Sequence, residues 1–137
     1  MDRISVQARS KNMSKIKGRD TRPELFVRKR LYKLGFRYRL NVKDLPGRPD
    51  IVFRKLKKTI FVHGCFWHRH LNCKYATSPK TNTKFWQEKF EKTRIRDERA
   101  IGDLKDLGWR SLIIWECELK ENTDDWLEKR LKKFLSS

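Results

Sequence analysis

The sequence predicts an α/β protein, a mixed β-sheet flanked by helices, and three observations lead there. Apolar runs of strand length alternate with amphipathic stretches of helix length in the order α-β-β-β-α-β-α. On a short chain that alternation argues for strands sheltered by helices. The 137 residues amount to one domain, residues 1–137, with enough chain for one ordinary core. No internal repeat, low-complexity tract or Gly/Ser linker divides it.

The elements follow in order. Residues 1–20, with Arg9-Ser10-Lys11-Asn12-Met13, are polar and basic and read as an arm or a surface helix. Thr21 then fits a helix N-cap, Pro23 lies in the first turn, and Glu24 three residues on makes a capping box. Leu25, Val27, Leu31 and Leu34 give this helix an apolar side, and Gly35 fits the position past its end. Extended segments follow at Phe36 to Val42, Asp50 to Phe53 and Thr59 to Val62. The turn Leu45-Pro46-Gly47-Arg48-Pro49 and a basic turn, Arg54 to Lys58, separate them. His63 to Pro79 is irregular. A long helix runs from about Thr83 to Leu107 and ends at Gly108. Ser111 to Trp115 reads as a buried strand, and Thr123 caps a last amphipathic helix through Leu127, Leu131 and Phe134.

Charge narrows the function. Lys plus Arg number 35 against 17 Asp plus Glu, a net +18. That excess repels itself in the folded state and implies a polyanionic partner, nucleic acid before an acidic membrane surface. The basic residues run from Arg3 to Lys133, as expected for a charged groove on a folded body. No stretch approaches the roughly 20 apolar residues of a membrane span. The first residues lack the apolar core of a signal peptide, so an intracellular, cytoplasmic protein with reduced thiols is expected.

Three constellations can carry chemistry. Asp50 opens one strand, and the next strand ends in His63, so two neighbouring strands can deliver both groups to one end of a sheet. A hard cation such as Mg²⁺ wants carboxylate oxygen plus substrate phosphate, whereas Pro-Asp at a strand start is otherwise ordinary turn chemistry. Next, all three histidines and two of the three cysteines fall between His63 and Cys73. Cys65-x4-His70-x2-Cys73, joined by Cys117, supplies a Cys3His set for tetrahedral zinc; the alternative is three buried reduced thiols. Finally, Asp97 lies on the apolar stripe Phe90, Thr93, Ala100, Ile101, Leu104, Leu107 of the long helix. An inward carboxylate needs a partner, either a histidine it orients or an arginine. Phe66-Trp67 and Phe85-Trp86 stand outside the periodic core. Such aromatics wedge into stacked bases or cover the core's edge, and for Phe85 the second reading is expected.

Together these residues resemble the very short patch repair endonucleases, a branch of the restriction-endonuclease-like nucleases. The resemblance spans roughly Arg9 to Leu119. It rests on Arg9-Ser10-Lys11-Asn12-Met13, Leu45-Pro46-Gly47-Arg48-Pro49-Asp50, Phe61-Val62-His63-Gly64-Cys65-Phe66-Trp67-His68, Gly108-Trp109-Arg110 and Trp115-Glu116-Cys117. Where wider restriction-like nucleases follow their Asp with an acidic-x-Lys pair, Phe61-Val62-His63 stands here. The resemblance implies a restriction-endonuclease-like fold and a Mg²⁺-dependent nickase acting beside a T·G mismatch in double-stranded DNA. It implies that Asp50 and the Val62 main-chain carbonyl ligate Mg²⁺ and that His63 holds water or phosphate. Glu24 would support that site, and His68, held by Asp97, would activate the attacking water. Cys65, His70, Cys73 and Cys117 would bind structural zinc. Phe66, Trp67 and Trp86 would wedge beside the mismatch, while the segment of Arg9, Lys11, Asn12 and Met13 meets DNA. The protein is expected to work as a monomer upstream of other repair proteins. Two alternatives remain: a restriction-like endonuclease of other specificity, or a non-catalytic zinc-stabilised DNA-binding module. Asp50, His63, His68 and Asp97 speak against the latter.

Overall fold

A computed structural model describes residues 21–137, so Arg9, Lys11, Asn12 and Met13 lie outside the described residues. In chain order the elements are α1 (Arg22–Lys33), β1 (Arg39–Leu40), β2 (Ile51–Phe53) and a single 3-10 turn (Arg54–Leu56). Then come β3 (Lys58–His63), α2 (Thr83–Asp106), β4 (Arg110–Trp115), α3 (Glu116–Glu121) and α4 (Asp124–Ser136). The four strands form one mixed sheet in the order β1-β2-β3-β4. β1 and β2 pair antiparallel, as do β2 and β3, with Ile51 opposite Ile60. β3 and β4 run parallel, with His63 opposite Trp115. Parallel neighbours need a long crossover, and α2 supplies it.

Strand alternation sorts the core into two layers. Ile51, Phe53, Ile60, Val62 and Ile114 pack with Val27 and Leu31 of α1 and Leu127, Leu131 and Leu135 of α4. Val52 and Phe61 point the other way and meet Leu45 and Leu104, with Ile101 beside them. The sheet is therefore covered on both faces. Lys58 fastens α4 to the sheet, its Nζ donating to the carbonyls of Phe134 (2.7 Å) and Ser137 (2.6 Å) at the negative end of that helix.

Local chemistry explains the element ends. Thr21 Oγ1 accepts from Glu24 N (3.4 Å), and Thr123 Oγ1 accepts from Trp126 N (3.2 Å). Four details depart from the expectation. Leu25 is exposed, and α1 buries Glu24 and Arg28 alongside Val27 and Leu31. Only Arg39 and Leu40 of the segment Phe36 to Val42 pair as strand, because Phe36 and Tyr38 turn edge-on against Phe53 in the core. Leu107 lies exposed at the end of α2. Helix α3 was not foreseen. Its six residues are too few to show a periodicity, and Glu118 Oε1 caps it by accepting from Trp115 N (2.9 Å).

Candidate active site and metal centre

The turn before β2 seats Asp50. Gly47 has φ +75°, and a Cβ there would lie 2.5 Å from the Ala100 methyl of α2, so only glycine lets the turn approach the helix this closely. The chain then enters β2, and Asp50 Oδ2 accepts from Val62 N of β3 at 2.7 Å. Burial, followed by the neighbouring Glu24 carboxylate, pushes the Asp50 carboxyl up to about 7, against the pull of the Val62 N–H and Arg28. Glu24 itself is buried and paired to Arg28 Nη2 at 3.0 Å. Two acidic groups thus share one enclosed corner, an arrangement that favours a cation.

His63 ends β3 in the neighbouring position. Its ring stacks on His68 with centroids 3.7 Å apart and planes 4° from parallel, and it meets Phe61 and Trp115 edge-on. Burial, then the adjacent His68, pushes His63 down to about 3, so it is neutral at ordinary pH. Its buried Nδ1 has no hydrogen-bond partner among the described residues. His68 Nδ1 meets Asp97 Oδ2 of α2 at 2.6 Å. The inward carboxylate therefore pairs with an imidazole. That contact fixes the ring and leaves Nε2 as the nitrogen for proton exchange. His63, His68 and Asp97 offer three ligand atoms within 4.8 Å of one another.

The cysteine-bearing loop folds back on the start of α3. Cys65, His70, Cys73 and Cys117 also place their donor atoms within 4.8 Å of one another. His70 Nδ1 lies 3.7 Å from Cys65 Sγ and 3.3 Å from Cys117 Sγ. A tetrahedral zinc with bonds of about 2.0–2.3 Å has ligand edges of about 3.3–3.8 Å, so the donor set fits. Burial pushes the Cys65 thiol up and the Cys117 thiol up to about 12. Desolvation also works against the Cys73 thiolate. There the Tyr75 N–H, the Cys65 and Cys117 thiols and the Ala76 N–H prevail and hold its thiol below the usual range. Buried thiols of this kind ionise beside a metal ion.

Comparison with known proteins gives this geometry its context. The profile of the DNA mismatch endonuclease Vsr family matches residues 1–75. A DNA mismatch endonuclease Vsr of Escherichia coli (strain K12) is 45% identical over 130 residues, covering 93% of this chain and 83% of its own length. The chain belongs to the Vsr family. The type II nicking enzyme V.XorIIP of Xanthomonas oryzae pv. oryzae is 43% identical over 134 residues, 98% of this chain and 96% of that protein. The type II nicking enzyme V.NmeAIP of Neisseria meningitidis serogroup A is 45% identical over 119 residues, 87% and 84% of the respective chains.

Within this Vsr-family chain the singled-out aromatics come together. Phe66 lies 5.2 Å from Trp67, 5.7 Å from Trp86 and 5.3 Å from Phe90, centroid to centroid, and Trp67 lies 5.8 Å from Trp86. Phe66, Trp67 and Trp86 are half-buried, an accessible aromatic ledge at the loop's border with α2. Phe85 does not cover the core. It is 57% exposed and leans edge-on against Trp86, because the first turn of α2, Thr83 to Phe85, is itself exposed. Two residues take roles that the sequence did not announce. Trp115 stacks face to face on His70 (4.0 Å, 7°) while touching His63 edge-on (5.2 Å), so one indole contacts both side-chain clusters. Arg69 binds across the loop. Trp115 is legible as the strand end before Cys117 but not as a bridge, whereas Arg69 carries no signal in so basic a sequence.

Proposed function

We propose that this chain nicks one strand of double-stranded DNA next to a T·G mismatch, by Mg²⁺-dependent phosphodiester hydrolysis that opens short patch repair. Membership of the Vsr family supports the endonuclease reading. The observation that carries the mechanism is the stacked His63–His68 pair braced by Asp97, beside an Asp50 whose carboxyl is pushed up to about 7. The mixed sheet and the Asp50–Val62 contact support a restriction-endonuclease-like fold, and the chain would work as a single domain and a monomer.

Asp50 and the Val62 carbonyl would hold Mg²⁺, with Glu24 sustaining the acidic corner and His63 holding water or phosphate. The fit lies in Asp50 itself, because its enclosed carboxyl resists ionisation until a cation faces it. When bound, the ion polarises the scissile phosphate and stabilises the leaving oxygen. His63 stays neutral and can accept a hydrogen bond without adding charge. His68 takes the proton of the attacking water at Nε2 while Asp97 steadies the resulting imidazolium from Nδ1. The water oxygen bonds to phosphorus, the P–O bond to the leaving strand end breaks, and that oxygen departs. Cys65, His70, Cys73 and Cys117 would bind structural Zn²⁺ as a closed set. Phe66, Trp67 and Trp86 would wedge into the stack at the mismatch, where a weakly stacked wobble pair lowers the cost of opening. The basic segment of Arg9, Lys11, Asn12 and Met13 adds contacts to the DNA.

The direct test incubates the protein and Mg²⁺ with matched and T·G duplexes and maps the cuts. A single nick beside the T·G pair is expected, with the matched duplex largely intact. Equal cutting of both would favour an endonuclease of other specificity, and no cutting would favour a non-catalytic DNA-binding module.

A further inference from the structure

Arg69 differs from an ordinary surface cation in how it spends its donors. Arginine presents five N–H groups in a rigid fork, and at a DNA-facing surface they usually reach for phosphate. The Nη1 and Nη2 groups of Arg69 are turned onto the protein. Nη1 donates to the carbonyls of Phe66 (3.2 Å) and Thr77 (2.9 Å). Nη2 donates to the Ala76 carbonyl (3.2 Å) and Ser78 Oγ (3.1 Å). The guanidinium also lies 4.0 Å from the ring centroid of Phe90 on α2 and 5.7 Å from that of Phe66. Its backbone is left-handed, with φ 51°, a conformation kept when the surroundings over-determine it.

One side chain therefore closes an irregular loop from Phe66 to Ser78 and presses it against α2. It grips Phe66 at both carbonyl and ring, and Phe66 in turn packs on Trp67 and Trp86. We infer that Arg69 is a positioning residue that presets the Phe66–Trp67–Trp86 ledge and so sets mismatch preference, rather than a phosphate contact. This rests on the proposed insertion of that ledge into DNA. The physical reason is preorganisation: a wedge already ordered in the free protein does not lose that freedom on binding. Lysine cannot replace Arg69, because one ammonium cannot span the four acceptors while keeping the contact with the Phe90 ring.

The test compares wild type with Arg69→Lys and Arg69→Gln, each checked for bound zinc and cooperative melting. Two tryptophans 5.8 Å apart and tilted by 48° give an exciton couplet in circular dichroism, a readout independent of nicking. Arg69→Lys should lose most of the couplet and about tenfold of the T·G-over-matched preference, chiefly through a raised KM. Arg69→Gln should do the same with the salt dependence of DNA binding unchanged, whereas removing a phosphate contact lowers that slope by about one. Ser78→Ala, which removes one anchor at an exposed position, should shift both readouts in the same direction by less. An intact couplet and full preference in Arg69→Lys would overturn the inference, as would a lowered salt slope in Arg69→Gln. If wild type shows no T·G preference, the functional reading fails instead, and the couplet alone then decides whether Arg69 positions the ledge.

Discussion

Trp115 touches two side-chain clusters that differ in how they are built. On its face lies the loop cluster of Cys65, His70, Cys73 and Cys117, three soft sulfurs and a nitrogen gathered largely from irregular backbone. At its edge lies His63 from the end of β3, stacked on His68 of the same loop, which Asp97 of α2 backs. The loop from Gly64 to Pro79 contributes one fully buried side chain, Cys65, and so has almost no apolar core of its own. A metal cross-link would add to the Arg69 contacts that close it. His63 and Asp97 come from regular elements, which provide positional precision, and they hold the loop's His68 between them. The same end of the sheet thus carries a closed cluster suited to stability and an open one suited to chemistry. Damage to each should read out differently.

The largest contrast is expected at Asp50. Asp50→Asn should lower nicking by about a thousandfold or more, because one carboxylate facing the cation is worth several kcal/mol of transition-state stabilisation. Binding to T·G duplex should persist within about tenfold, since the basic surface is untouched. Nicking rates and gel-shift affinities measured on one preparation check both. Wild-type rates in the variant would remove Asp50 from the chemistry.

Cys117→Ser should reverse the pattern. Zinc should be absent by elemental analysis, and the melting midpoint should drop by about 10 °C, as expected for a loss of about 3 kcal/mol. Cys65→Ser should match it. A purified wild-type protein holding no tightly bound metal would break the comparison at this cluster.

Between these extremes sits the His68–Asp97 contact. His68→Ala and Asp97→Asn should each cost about a hundredfold in kcat, and the double variant little more than the worse single, because the two groups act as one unit. Rate losses that multiply would make Asp97 a purely structural anchor.

Which parts were legible beforehand follows from the range of each signal. Thr21 and Thr123 announced helix starts because capping chemistry is local. The sheet emerged because short apolar runs such as Ile51-Val52-Phe53, bounded by turn residues, have strand length. Asp97 stood out as a carboxylate on an apolar stripe, and the cysteines by clustering with the histidines. What stayed hidden depends on contacts between distant segments. Trp115 bridges the clusters only once β4 lies against β3, and Arg69 is one of 35 basic residues until the loop closes around it. The inward turn of Glu24 and Arg28 was concealed for the same reason, since helical spacing alone favours Leu25 for the core.

The smallest expected effect uses Asp50 and His63 against each other through pH. The Asp50 carboxyl is raised to about 7 from its ordinary 3.8, so without a cation the folded state prefers it protonated. Its contribution to stability is present below about 4 and is lost as pH rises through 7. His63 is lowered to about 3 from 6.5, so folding prefers it neutral. That contribution is present above about 6.5 and is lost as pH falls towards 3. Between about pH 4 and 6.5 the two slopes oppose and largely cancel in the wild type, each group being worth up to about 1.4 kcal/mol per pH unit. Asp50→Asn removes one slope and keeps an acceptor for the Val62 N–H, which leaves His63 uncompensated. In magnesium-free buffer the variant should therefore lose more stability than wild type between pH 6.5 and 4.5, by about 1–2 kcal/mol. Denaturant melts across that window check it. Saturating Mg²⁺ should bend the wild-type curve towards that of the variant, because a proton and the cation compete for the same carboxylate. Parallel wild-type and variant curves, with no response to Mg²⁺, would mean that Asp50 is already ionised in the free protein and that its corner is not waiting for a cation.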